Sequence, residues 1–166
     1  MTMIDYTVVV VGTDGSRLAE PTVARASWLA KREDADLVIV CAYSALSRRA
    51  EAKNVATLGG DTRGGEVLGR GVAGEAISRA VAVAAKEGAT VAAALLVEGD
   101  AAAALIETAR QRRAEVIVLG ARYDRTLAER LLGTVATEVV KHANCDVLIV
   151  RPSEPGEIPV PEDKPS

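Results

Sequence analysis

Glycine-spaced turns at three places in this chain carry groups that could hold a phosphorylated ligand. The first is Gly12-Thr13-Asp14-Gly15-Ser16, the second Gly120-Ala121-Arg122-Tyr123-Asp124-Arg125, and the third Gly133-Thr134 before a helix-forming stretch. Backbone N–H groups of Gly133, Thr134, Val135 and Ala136 would point outward at the positive end of that helix, where a phosphate is stabilised. The same spacing also fits a plain N-cap with a structural glycine. Asp14 could meet Mg²⁺ carried in on a nucleotide, or serve as a turn residue whose carboxylate accepts from nearby backbone. Arg122 and Arg125 could pair with phosphate oxygens or remain solvated loop charges.

Other chemistries find less support. Gly69-Arg70-Gly71-Val72-Ala73-Gly74 spells a dinucleotide fingerprint, opens a predicted helix and has Glu98 downstream. Such a motif should follow a buried strand, however, and only Glu66-Val67-Leu68 after a glycine-rich stretch precedes it, so a flexible loop is expected. The one histidine, His142, falls near the end of a predicted helix, where a cation complements the dipole. No G-x-S-x-G elbow is present, and one histidine with two distant cysteines does not make a metal site.

The elements that must position these turns follow from apolar periodicity. Tyr6 to Val11 is a nearly unbroken apolar run that enters the first turn, as a strand does. Leu18 to Arg32 predicts a helix, with Val23, Ala26, Leu29 and Ala30 on one face and Pro21 tolerated in the first turn. Leu37 to Tyr43, Thr90 to Val97, Val116 to Leu119 and Val147 to Val150 are the further strands. Between them lie a helical stripe of Ala76, Ile77, Ala80, Val81 and Ala84, a helix capped by Asp100, and a helix from about Val135 to His142. Continuous apolar runs signal strands buried on both faces. The expected fold is α/β, a single doubly wound five-stranded parallel sheet flanked by about four helices. In such a sheet ligands bind beyond the carboxyl ends of the strands, where neighbouring connections leave to opposite faces, so the turns after strands one and four are favoured.

Length and composition narrow the function classes. The chain has 166 residues, 20 Lys and Arg against 23 Asp and Glu, and a formal charge of −3. That balance lacks the basic footprint of a phosphate-backbone binder. Phe is absent and aromatics make up 2%, so stacking platforms for single strands are not expected and the core must be aliphatic. No stretch reaches the roughly 20 apolar residues of a membrane span. Met1 to Tyr6 lacks a basic region leading into a long apolar one, so a cytoplasmic protein is expected. Cys41 and Cys145 are expected as reduced thiols at opposite ends of the sheet. Ser44 to Gly65, with four glycines and little periodicity, reads as a surface excursion that could act as a lid. Residues 152–166 hold five of the six prolines with four acidic residues between them, the composition of an unfolded tail, leaving 1–151 as the domain.

Val8 to Ser16, VVVVGTDGS, followed by a helix, resembles the opening of the universal stress protein family. Residues 115–151, EVIVLGARYDRTLAERLLGTVATEVVKHANCDVLIVR, are similar to that family's closing segment with its glycine-spaced nucleotide loop. The resemblance implies an adenine nucleotide alpha hydrolase-like domain, often homodimeric, that binds ATP in many members and AMP or cyclic AMP in some, without a well-defined reaction. It also implies pairing through a final edge strand, here residues 145–151. The family's ATP pattern is Gly, two residues, Gly, nine residues, Gly, then Ser or Thr. Gly120 matches the first glycine and Gly133 with Thr134 the last pair, while Tyr123 stands where the second glycine belongs. By the same resemblance Gly12, Thr13, Asp14 and Ala42 would border adenine and ribose, and Gly133, Thr134, Val135 and Ala136 would hold phosphates. A tyrosine is poor at positive φ and blocks close approach of backbone to a ligand, so Tyr123 bears directly on ATP. The expectation is a stress-associated sensor or adaptor that binds an adenine nucleotide. The alternative is a dimeric interaction module of the same fold in which Tyr123 has closed the phosphate path. For hydrolysis the sequence names no base.

Overall fold

Four successive valines and a glycine form β1 (Val8–Gly12), whose residues Val9, Val10 and Val11 are without solvent exposure. A strand covered on both faces can carry β-branched residues at every position, because each pleat direction meets a packed layer. The computed structural model describes residues 5–16, 19–44, 69–121 and 133–151. After β1 come α1 (Ala19–Glu33), β2 (Asp36–Tyr43), α2 (Arg70–Glu87), β3 (Thr90–Glu98), α3 (Ala101–Arg112), β4 (Val116–Gly120), α4 (Thr134–His142) and β5 (Asp146–Val150). All strand pairings are parallel and the sheet order is β3-β2-β1-β4-β5.

The expected elements are present to within a residue or two at their ends, and Pro21 falls in the first turn of α1. Asp100 caps α3 as expected, its Oδ2 accepting from the Ala103 N–H at 2.9 Å. Two aliphatic layers flank the sheet. One joins Val9, Val11, Leu37, Ile39, Val116 and Val118 to α1 and α2, and the other joins Val10, Val38, Val40, Ile117 and Leu119 to α3 and α4. Ala73, Ala76, Ala80 and Ala84 form the buried side of α2, so its backbone lies close to its neighbours. Ser27, buried in α1, donates its hydroxyl to the Val23 carbonyl at 2.7 Å, which removes the cost of placing a polar group there.

Two expectations need correction. The five strands are not all buried on both faces: β3 and β5 alternate between half-buried and exposed positions, and Leu148 on β5 is 37% exposed. Both are at the sheet margins, where the flanking helices cover one side more fully than the other, and the continuous apolar reading of their sequences could not register this. Arg70 to Gly74 is not a flexible loop but the opening of α2, with Gly69 as N-cap.

The amino end of the sheet is latched by carboxylates. The Glu115 side chain accepts from the Thr7 N–H and hydroxyl, at 3.0 and 2.7 Å for the shortest contacts, and from the Val8 N–H at 2.8 Å. Tyr6 donates its hydroxyl to Asp146 Oδ2 at 2.8 Å. Partial burial pushes the Glu115 carboxyl upward, but the Thr7 hydroxyl and the Val8 and Thr7 amides together outweigh it and hold the group below the ordinary carboxylate range. A lowered carboxyl stabilises the fold fully above its unfolded value and loses that contribution as pH falls through its folded value. Glu115→Gln is therefore expected to cost about 1 kcal/mol near neutral pH, after allowance for partial exposure. Denaturant melts should show the gap between wild type and variant closing as pH drops below the usual carboxylate range.

Candidate functional site

β1 ends at a glycine because a side chain there would crowd the far layer: a Cβ on Gly12 would stand 3.2 Å from both methyls of Leu105 and 3.4 Å from Leu119. The chain then turns sharply. The Thr13 N–H donates to the Val40 carbonyl at 3.0 Å, which ties the turn to β2. Thr13 Oγ1 accepts from the Gly15 N–H at 3.2 Å, and Asp14 Oδ1 accepts from the Ser16 N–H at 2.8 Å. Of the two roles open to Asp14, the turn role is the one its geometry shows, and the residue stays exposed. Among the described residues there is no cluster of three or more His, Cys, Asp or Glu that could hold a metal.

Two residues of this region, Gly15 and Arg79, carry roles that the sequence reading did not assign. Gly15 has φ +76°, and a Cβ there would come within 2.6 Å of the Ala76 Cβ on α2. Arg79 Nη2 donates to the Gly15 carbonyl at 3.1 Å. The alanine stripe on α2 lets that helix approach closely enough for both contacts, and it was the one signal in the sequence that pointed to them.

Ala42 is half-buried on the α3 and α4 side of β2, and Gly120 ends β4 in an exposed position. The Ala121 N–H continues the ladder to the Val150 carbonyl at 2.8 Å. Arg122, Tyr123 and Arg125 lie outside the described residues, as do residues 45–65 of the expected excursion. Gly133 caps α4 with φ +82° and makes no side-chain cap bond. Its carbonyl accepts the first helical bond from the Thr137 N–H at 3.0 Å. The amides of Thr134, Val135 and Ala136 therefore have no intrahelical acceptor and gather at the positive end of α4. β1 and β4 are neighbours whose connections leave to α1 on one face and α4 on the other, so the first turn, Gly120 and the α4 amides share the carboxyl end of the sheet.

Other candidates fall elsewhere. A cleft of about 140 Å³ at the opposite end is lined by Ile106, Arg110, Arg113, Ile117 and Cys145 among others. The carboxyl ends of α3 and α4 face that cleft, and the arginines complement those carbonyl ends. His142 sits 3.4 Å from Glu138 Oε2 on the exposed side of α4. Both cysteines are free; burial, with a smaller push from the Asp14 charge, raises the Cys41 thiol to about 11. No helix among the described residues is long and apolar enough to cross a membrane.

The profile of the universal stress protein family matches residues 5–151. The chain belongs to the universal stress protein family. Universal stress protein Rv1636 of Mycobacterium tuberculosis is 34% identical over 148 residues, covering 89% of this chain and 98% of the relative. A universal stress protein solved in complex with cAMP is 31% identical, with a TM-score of 0.66, and is matched along 90% of this chain and 100% of its own. The universal stress protein of Archaeoglobus fulgidus in complex with dAMP has a TM-score of 0.63 at 23% identity, covering 88% of this chain and 98% of its own, a likeness of fold. These proteins share the adenine nucleotide alpha hydrolase-like fold expected from the two end segments.

In this family frame the turn after β1 depends on α2. Gly15→Ala is expected to cost about 1–3 kcal/mol from overpacking and backbone strain. Thermal unfolding should shift down by about 2–4 °C per kcal/mol. Arg79→Ala, which leaves the Gly15 carbonyl to water, should cost about 1 kcal/mol or less.

Proposed function

We propose that this universal stress protein binds an adenine nucleotide in the crevice between the turns after β1 and β4 and acts as a sensor or adaptor without turnover. The carrying observation is the N-terminus of α4, where the Gly133 cap offers no side-chain bond and the first amides, without an intrahelical acceptor, lie at the same end of the sheet as Thr13 and Asp14. Adenine and ribose would lie against Gly12, Thr13, Asp14 and Ala42. Phosphate would meet Gly133, Thr134, Val135 and Ala136, with Gly120 at the floor and Arg122 and Arg125 as side-chain partners. The 31% identical relative solved with cAMP supports an adenine ligand. Tyr123 in place of a loop glycine favours a single phosphate over a triphosphate, because one phosphate needs fewer close backbone approaches. ATP, with or without Mg²⁺, would take the same crevice more weakly than AMP or cyclic AMP.

The protein is proposed to work in the cytoplasm as a homodimer paired through the residue 145–151 edge strand. The exposed Leu148 and alternating burial of β5 support that surface. A second reading rests on Tyr123 alone: a dimeric interaction module of the same fold that no longer takes ATP.

Calorimetric titration with ATP, AMP, cyclic AMP and GTP separates these readings. Saturable binding of adenine nucleotides with GTP silent is expected, and Gly133→Ala should weaken it about tenfold or more, because an L side chain resists φ +82°. A wild type that binds none of the four nucleotides, with a Tyr123→Gly variant that gains ATP, would establish the interaction module instead. Light scattering at about tens of micromolar should return a dimer mass; a monomer would exclude the β5 interface.

A further inference from the structure

The chain's single tryptophan sits on the outer side of α1, 47% exposed, opposite the buried strip of Val23, Ala26, Ser27 and Ala30. Its ring lies between two guanidinium groups, with the Arg25 Cζ 5.6 Å and the Arg32 Cζ 5.5 Å from the ring centroid. The helical neighbours of Trp28 are Ala24, Arg25, Lys31 and Arg32, three cations and no carboxylate. An exposed indole held by two arginines is a preformed, low-entropy platform of the kind that anchors interfaces. It suits a segment that offers flat apolar rings to the indole and carboxylates to the guanidiniums.

Residues 152–166 have that chemistry. Glu157-Ile158-Pro159-Val160-Pro161-Glu162-Asp163 sets two prolines between acidic residues. Four carboxylates against Lys164 give the segment the whole of the chain's net charge of −3, the remainder carrying nineteen charges of each sign. Proline-rich segments adopt an extended polyproline helix that packs on aromatic surfaces with little loss of entropy. The segment also starts on the correct side: Val150, the last residue of β5, packs into the layer that contains Val23, Ala26 and Ala30 of α1. Seven further residues to Glu157 span up to about 24 Å when extended. Trp28 lies about 7.5 Å along α1 from Val23, on a helix about 10 Å across.

We propose that residues 152–166 dock in cis on the outer face of α1, Pro159 and Pro161 against the Trp28 ring and the flanking carboxylates on Arg25 and Arg32. The site is independent of the nucleotide crevice, and its test does not involve nucleotide. Trp28, as the only tryptophan, reports on its own occupancy in the full-length chain. In the full-length chain carrying Glu157→Gln, Glu162→Gln and Asp163→Asn, acrylamide quenching of Trp28 should rise about twofold and emission should move to the red, because the open half of the residue is no longer covered. Pro159→Ser with Pro161→Ser should do the same with the charges intact. About 1 M salt should reproduce the rise in wild type and leave the charge variant unchanged. Far-UV circular dichroism should be unaltered, since none of these residues lies in the described layers. Equal quenching and equal emission in wild type and both variants would overturn the proposal. A wild-type signal that depends on protein concentration would overturn docking in cis and assign the face to the tail of a second copy.

Discussion

The pairing of β1 with β4 is the constraint from which the remaining geometry follows. Parallel neighbours need crossovers, and the connection from β3 through α3 returns over β2 and β1 to reach β4 on the far side of β1. This return moves the chain from one face of the sheet to the other. As a result the turns after β1 and β4 diverge, one to α1 and the other to α4, and the proposed crevice is assigned to the space between these two strand ends, one strand spacing apart. Val9, Val10 and Val11 can all be buried because this crossing supplies a helical layer on each side. The crevice and the core are thus two consequences of one topological step.

The two ends of the sheet are held by different means. At the amino end Glu115 accepts from Thr7 and Val8, and Tyr6 donates to Asp146, so β1, β4 and β5 are fastened by side chains. At the carboxyl end the bonds are local to the first turn and the helix beside it: the Thr13 and Asp14 side chains accept from the amides two residues on, and Gly15 is wedged on α2 with the Arg79 guanidinium on its carbonyl. The α4 amides are left unbonded within their helix. The carboxyl end thus presents the first α4 amides together with the Thr13 and Asp14 side chains. That distribution suits a ligand whose negative charge is met by backbone and whose polar rim can hydrogen-bond to Thr13.

A core without phenylalanine places its own demand on the helices. With only aliphatic side chains to fill the layers, close approach of backbone replaces bulk, and α2 does this with alanines at positions 73, 76, 80 and 84. The same close approach is what brings Ala76 within contact of Gly15 and lets Arg79 reach its carbonyl. The aromatic residues among the described ones are at the edges of the layers: Tyr6 at the amino latch, Tyr43 with Arg70 over its ring at 5.8 Å, and Trp28 between its arginines. Each is placed where a polar tip or a cation can be met, not where volume is needed.

Much of the fold was legible in local pattern. The apolar runs of β1, β2 and β4, the small-residue stripe of α2, the Asp100 cap and the glycines at 12, 120 and 133 each carry their own physical signature, because periodicity and turn chemistry are properties of neighbours in the chain. So was the placing of the turns after β1 and β4 at one end of the sheet, since turns after apolar runs in a parallel sheet face one end. Tertiary structure alone decided which strands lie side by side and which are left at the margins. β3 and β5 read as continuous apolar runs, yet they stand half open at the two edges of the sheet. The same holds for Arg79 on Gly15, 64 residues away, and for Glu115 on Thr7, 108 residues away. Contacts of that separation depend on how crossovers stack the layers, which no window of neighbouring residues encodes. The exposure of Trp28 was likewise settled by the side on which α1 meets the sheet.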